Sequence, residues 1–267
     1  MDKKVVLITG AGRGLGLSIA KEYLNEGYEV VATDISEIIF SGNKDLEYLT
    51  TYKLDVTSEN DMRQCASFVQ EKFGRLDVLI SNAGVFDFYP VSEAGSDELK
   101  QIMDVNFLGL ANLTKYFLPL LVQSKGRLIV ISSESYKVPA PFQPYAVSKQ
   151  AMESLYDAIK VELLLKGIKC ILIRPGALQT QILIDTLQFK SENYQGLYKN
   201  EFDTFVKAVP TYIAKISRPE KVAQLVLKAG IKKNPKAIYS INHNPLVTIL
   251  SAMPYTLKNY LIKRSLR

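Results

Sequence analysis

The chain has 267 residues, 47% hydrophobic and 22% charged, with two cysteines, one histidine, no tryptophan and a formal charge of +6. That is the profile of one large globular domain, since α/β folds of roughly 200–250 residues often keep a single core. Cys65 and Cys170 are too few for a disulfide framework and point to a reducing compartment. With His243 as the only histidine, multi-histidine metal sites drop out, a Ser-His-Asp triad is disfavoured, and no metal is expected.

In chain order, short β-branched runs at residues 5–9, 29–34, 50–54, 76–81, 127–132 and 169–174 read as strands. The near-continuous apolarity of Leu128-Ile129-Val130-Ile131 and Ile171-Leu172-Ile173 predicts strands buried on both faces, hence a parallel sheet. Helical-period segments lie between them at 15–25, 59–73, 97–123 and 145–166, and Gly27 and Gly167 follow two of these as C-terminal glycines do. The alternation predicts a doubly wound α/β sheet in three layers. After Pro175 the pattern loosens into amphipathic stretches over 177–216 without an obvious strand. A capping box, Ser217-Arg218-Pro219-Glu220, then predicts a helix to about Ala229, and 237–241 reads as a last strand. The tail from 245 to 267 is apolar as far as 262, with only Lys258 charged, and ends in Lys263-Arg264-Ser265-Leu266-Arg267. No repeat or linker divides the chain, so residues 1–267 read as a single domain.

Charge is unevenly placed. From Arg218 onward there are ten Lys/Arg against one acid, Glu220, whereas the preceding body carries 23 basic and 26 acidic residues. No recognised nucleic-acid module accompanies the basic end, so nucleic acid is not an expected partner. The apolar run near the N-terminus, Val5-Val6-Leu7-Ile8, is too short for a signal-peptide core, and no uninterrupted apolar stretch reaches about 18 residues. The chain reads as cytoplasmic and non-spanning.

The first strand leads into Thr9-Gly10-Ala11-Gly12-Arg13-Gly14-Leu15-Gly16. Glycines between a strand and a helix let backbone N–H groups approach a pyrophosphate at the positive helix end. Asp34 ends the second strand, where a carboxylate can bond the ribose hydroxyls of an adenosine while repelling a 2′-phosphate; this favours NAD over NADP. Arg13 weighs the other way, as a cation beside the glycines able to meet a 2′-phosphate. In Tyr145-Ala146-Val147-Ser148-Lys149 the tyrosine and lysine are four apart and share a helix face. A free tyrosine, with pKa about 10, is a poor base near neutrality. A nearby ammonium and the positive charge of an oxidised nicotinamide are expected to lower that value towards the working range.

The T-G-x-x-x-G-x-G pattern at Thr9–Gly16 and the Y-x-x-x-K pair resemble the short-chain dehydrogenase/reductase family, over about residues 3–180. The resemblance implies a Rossmann-type sheet in which Gly10, Arg13, Gly14, Leu15 and Gly16 meet the dinucleotide. It implies that Asp55 and Val56 meet the adenine, and that Asn82-Ala83-Gly84 lies along the cofactor. Pro175, Gly176, Leu178 and Thr180 would then stand at the nicotinamide end, and Tyr145 and Lys149 would also touch the cofactor. The catalytic set it implies is Tyr145 as acid/base, Lys149 as its modulator, Ser133 orienting the substrate oxygen, and Asn106 holding a relay water. Ser132 stays open as the alternative serine, because successive strand residues face opposite ways. Tyr136 stands where the family usually has glycine. The family also implies dimers or tetramers.

The segment at 177–216 would cover the substrate, and its leucines, isoleucines and aromatics suit a steroid, retinoid or other lipid-like alcohol or ketone. The overall look resembles hydroxysteroid and retinol dehydrogenases. The tail has three open readings: peripheral contact with an anionic membrane surface, closure of the pocket or packing on a partner subunit, or plain core completion. The expected function is NAD(P)(H)-dependent interconversion of an alcohol and its carbonyl. The alternatives are a non-catalytic dinucleotide sensor and a lipid-binding peripheral membrane protein on the same fold.

Overall fold

The computed structural model describes residues 3–40, 46–138, 140–213 and 215–267. Seven strands, β1 (Val5–Thr9), β2 (Glu29–Asp34), β3 (Leu49–Lys53), β4 (Val78–Ser81), β5 (Arg127–Ile131), β6 (Lys169–Pro175) and β7 (Ile238–Ile241), form one sheet. The order is β3-β2-β1-β4-β5-β6-β7 and every pairing is parallel. The chain winds outward from β1 to β3, then returns to β4 on the far side of β1. That reversal opens a crevice at the carboxyl ends of β1 and β4, where open α/β sheets bind ligands.

Side-chain alternation along the strands builds the layers. Leu7, Val31, Leu79, Leu128, Val130 and Leu172 point to one face, against α2 (Glu59–Phe73), α4 (Gly109–Ser124) and α5 (Pro144–Leu165). Val6, Ile8, Val30, Ile80, Ile129 and Ile171 point to the other, against α1 (Gly14–Asn25) and α8 (Pro219–Ile231). Burial on both faces is what the unbroken apolar runs of β5 and β6 require.

The helix expected at 97–123 is α3 (Ser96–Met103) running into α4 through a π-helical turn at Asp104–Leu108. By length and composition this run is apolar enough to cross a membrane, but α4 is a layer of the core. The capping box at Ser217 does not form. Ser217 is held in a parallel bridge with Leu178, its N–H bonded to the Ala177 carbonyl at 3.0 Å, and α8 starts instead at Pro219. Pro at the first helical position loses no hydrogen bond there.

The loosely patterned segment folds as α6 (Gln181–Gln188) and α7 (Lys199–Tyr212). An aromatic cluster of Phe88, Phe142, Phe202, Phe205 and Val209, separate from the two sheet cores, packs α7 over the carboxyl edge of the sheet. The tail forms α9 (Pro245–Ala252) and α10 (Tyr255–Ser265), each opened by a proline and neither fully burying a residue.

Candidate active site

The glycine loop is shaped by close backbone approach. Gly10 and Gly14 have φ of +65° and +56°, left-handed values that a side chain disfavours. Asn82 braces the turn from β4, its amide Nδ2 donating to the carbonyls of Thr9 at 2.9 Å and Gly10 at 3.1 Å. Thr9 Oγ1 in turn accepts the N–H groups of Asn82 and Ala83. No side chain caps the start of α1, and its first turn carries no acid. The positive end of α1 is thus left to an external anion, which suits a dinucleotide pyrophosphate.

Asp34 stands at the loop's edge. Its Oδ2 accepts the Gly12 N–H at 2.9 Å and its Oδ1 the Ser36 N–H at 3.1 Å, so the carboxylate is fixed facing the cleft. Asp55 heads a turn, accepting from the Thr57 N–H and hydroxyl. Thr180 packs its methyl beside Gly14, where an added Cβ would meet it at 3.3 Å, and so brings the loop after β6 back onto the glycine loop.

At the other end of the cleft the two serines diverge. Ser132 is buried and donates to Glu153 Oε1 at 2.5 Å. Ser133 turns the opposite way, caps the short 3-10 turn Glu134–Lys137, and stands beside the Tyr145 phenol, whose pKa it lowers. Alternation along the strand end forces this division: both serines border the cleft, but the Ser132 hydroxyl is spent on Glu153 and Ser133 is the one beside Tyr145. The Tyr145 ring packs on Phe86 with centroids 5.2 Å apart. Lys149 is buried, and its Nζ donates to the Ile131 carbonyl at 3.1 Å.

In the protein without a dinucleotide, burial sets the protonation balance. Burial pushes the Tyr145 phenol up to about 12, against a lowering by Ser133. Burial also pulls the Lys149 ammonium down to about 8, with Glu153 opposing. Nζ lies 5.7 Å from the Tyr145 ring centroid and is directed to a backbone carbonyl, so desolvation outweighs the help expected from the lysine charge.

Asn106 sits at the π-helical turn, buried. Its amide donates to the Val85 carbonyl and to Ser148 Oγ, both at 2.9 Å, while Oδ1 accepts the Val85 N–H at 2.9 Å. Both amide hydrogens are therefore engaged in pinning the loop after β4 to α5. Only acceptor capacity is left to face a water.

One cavity of about 700 Å³ connects these parts. It is lined by Gly10, Arg13, Gly14, Leu15, Gly16, Asp34, Asp55, Val56, Asn82, Ala83 and Gly84 at one end, and by Ser133, Tyr145, Lys149, Pro175, Gly176, Leu178 and Thr180 at the other. Of the residues expected from sequence, only Asn106 stands behind the wall. Sequence reading missed Phe86 and Phe88, which follow the Asn-Ala-Gly motif and line the apolar end; Leu246, Leu250, Leu261 and Leu266 line it from the tail, for which closure of the pocket was one of the three open readings. It also missed Glu153, which helical spacing from Lys149 marks as a neighbour.

A family profile described as short chain dehydrogenase matches residues 4–190. The chain is 31% identical to estradiol 17-beta-dehydrogenase 2 of Rattus norvegicus, over 100% of this chain and 78% of that protein. Among solved structures, a short-chain dehydrogenase from Streptomyces avermitilis superposes with a TM-score of 0.76 at 24% identity, covering 98% of this chain and 96% of that one. An alcohol dehydrogenase from the archaeon Thermococcus sibiricus, complexed with 5-hydroxy-NADP, gives 0.69 at 24% identity over 90% and 96%. These structures share the fold, while the profile and the rat enzyme share the sequence over most of the chain. The protein therefore belongs to the short-chain dehydrogenase/reductase family, oxidoreductases that bind NAD or NADP.

Proposed function

We propose that the protein interconverts an alcohol and its ketone or aldehyde on an apolar small molecule, using NAD(H) in preference to NADP(H). The observation that carries this is the meeting of Ser133, Tyr145 and Lys149 at one end of a cleft whose other end is the uncapped α1 and Asp34. The backbone of the glycine loop would hold the pyrophosphate, Asp34 the adenosine ribose, and Lys149 and Thr180 the nicotinamide half. A bound nicotinamide supplies the hydride acceptor for an alcohol, the hydride donor for a carbonyl and, when oxidised, a positive charge. Ser133 Oγ bonds the substrate oxygen and aligns it with the phenol. Tyr145 Oη takes the hydroxyl proton in oxidation and returns it in reduction. Lys149 supplies positive charge beside that phenol and so favours its ionised form. Asn106 keeps Val85 and Ser148 in register and so holds the loop and helix that frame the site.

A screen of steroid alcohols, retinol and aliphatic alcohols, followed by absorbance of the reduced cofactor with NAD and then NADP, tests the reading. Turnover of an apolar alcohol with NAD supports it; no turnover with either cofactor sinks it. Asp34→Asn keeps an acceptor for the Gly12 N–H but removes the charge that opposes a 2′-phosphate. It is expected to raise the NADP-over-NAD ratio of kcat/KM about tenfold or more. An unchanged ratio would show that Asp34 does not select the cofactor.

The apolar class of the substrate rests on the wall around Tyr145, where Phe86, Phe88 and Phe205 face Leu250, Leu261 and Leu266 of the tail. Deleting residues 245–267 is expected to raise KM for a long apolar alcohol at least about tenfold, since several leucine-sized contacts of roughly 1 kcal/mol or more each are lost. KM for a short aliphatic alcohol should move little. The outer side of the same tail exposes Ile249, Tyr255, Leu257 and Tyr260 next to Lys263, Arg264 and Arg267. That combination favours peripheral contact with an anionic bilayer, and sedimentation with phosphatidylserine vesicles in the same two proteins reads it directly.

A further inference from the structure

Behind the site lies a buried charged array that the proposed chemistry does not use. Glu153 is 6% exposed and accepts three hydrogen bonds: from Ser132 Oγ at 2.5 Å, Arg174 Nε at 3.0 Å and Arg174 Nη2 at 2.6 Å. The Arg174 guanidinium is sandwiched in turn, its Cζ lying 4.0 Å from the centroid of the Tyr136 ring. Tyr136 is the residue that replaces the family's usual glycine, and its ring closes the array from the serine loop.

We propose that Glu153 is a positioning residue that keeps Lys149 charged in its buried place, with Ser132, Arg174 and Tyr136 holding the carboxylate where it can do so. Three observations converge on it. Glu153 stands one helical turn beyond Lys149 and two beyond Tyr145, on the same face of α5. Lys149 is 4% exposed and donates to a neutral carbonyl, so burial alone favours loss of its proton and Glu153 is the charge that resists it. The carboxylate is aimed by a bidentate arginine and a serine, a fixed geometry rather than a solvated one. Other acids bordering the cleft and the π-helical turn have their own partners: Glu134 accepts the Asn244 N–H at 2.7 Å, and Asp104 pairs with Lys100. Arg174 faces Glu153 from β6, and Tyr136 covers it from the turn after β5.

The proposal rests on the reading of Lys149 as the modulator of Tyr145, but its test needs no turnover. Side-chain 15N NMR of the lysines in the free 267-residue protein follows Lys149, identified by the resonance missing from Lys149→Met. The midpoint, about 8 with Glu153 present, is expected to fall by about one pH unit in Glu153→Gln. Because Glu153→Gln strands a half-buried guanidinium whose own charge would repel the Lys149 ammonium, Glu153→Gln combined with Arg174→Gln is measured beside it, and the midpoint should stay below the wild-type value, by less than in the single variant. A purely structural role would lower the melting temperature and leave the midpoint in place. An unmoved midpoint in both variants overturns the proposal. A shifted midpoint in a protein that oxidises none of the alcohols would instead fail the enzymatic reading and leave the role of Glu153 standing.

Discussion

Tyr145→Phe is expected to lower kcat for alcohol oxidation about 10³-fold while leaving dinucleotide affinity within about twofold, because positioned proton transfer contributes on the order of 10²–10⁴. Phe preserves the ring contact with Phe86 and the packing of α5, so only the phenol oxygen beside Ser133 is lost. The pH dependence separates proton transfer from mere substrate misplacement. With the phenol pushed up to about 12 by burial, the base is a trace species at neutrality in the free protein. Below the phenol's working pKa its ionised fraction rises with pH, so oxidation by the wild type should climb from pH 6 towards 8, the range in which Lys149 keeps its charge. Reduction needs the protonated phenol and should not climb. The residual rate of the Phe variant should be flat, since no group replaces the base. Initial rates from cofactor absorbance, with affinity from cofactor fluorescence, decide the matter. A variant within tenfold of the wild-type rate would remove Tyr145 from the chemistry.

That experiment depends on features the sequence exposed unevenly. The glycine loop was legible because close backbone approach admits little but glycine, and Asp34 because a strand end fixes where a carboxylate points. The Ser132 and Ser133 pair was not resolvable from spacing. A one-residue change of strand end exchanges their directions, and only the bond from Ser132 to Glu153 shows which way each faces. Glu153 itself reads in isolation as an ordinary polar helix residue, because its partners lie 21 residues away on either side in sequence. The apparent capping box at Ser217 failed for a similar reason. Its pattern is local, and a long-range bridge to Leu178 took the serine's backbone first. The tail's apolar character was plain, but which side lines the cleft follows from the fold of α9 and α10 over the aromatic cluster. At Tyr145 the neighbouring lysine was legible in the sequence, whereas the desolvation that raises the phenol's pKa in the free protein was not.

Gly16→Ala is expected to weaken dinucleotide binding at least about 100-fold, which corresponds to about 2.7 kcal/mol. A Cβ built on Gly16 would lie 2.0 Å from the Gly10 carbonyl oxygen and 2.7 Å from Asn82 Nδ2. Neither neighbour can yield cheaply. The Gly10 carbonyl is backbone in a left-handed turn, and Asn82 Nδ2 is fixed by its bonds to that carbonyl and to Thr9. The methyl must therefore separate the turn from the first turn of α1, which moves the N–H groups that would meet the pyrophosphate. Overpacking of this kind also costs about 1–3 kcal/mol of stability, or roughly 2–4 °C in Tm per kcal/mol for a protein approaching this size. Gly27→Ala is the control. Its φ of +83° imposes backbone strain, yet nothing lies within 4 Å of the added carbon, and it stands at the opposite end of α1. Calorimetry should show both variants destabilised, with cofactor titration affected only in Gly16→Ala. If Gly16→Ala binds NAD as the wild type does, the close contact between the turn and α1 is not what shapes the cofactor site.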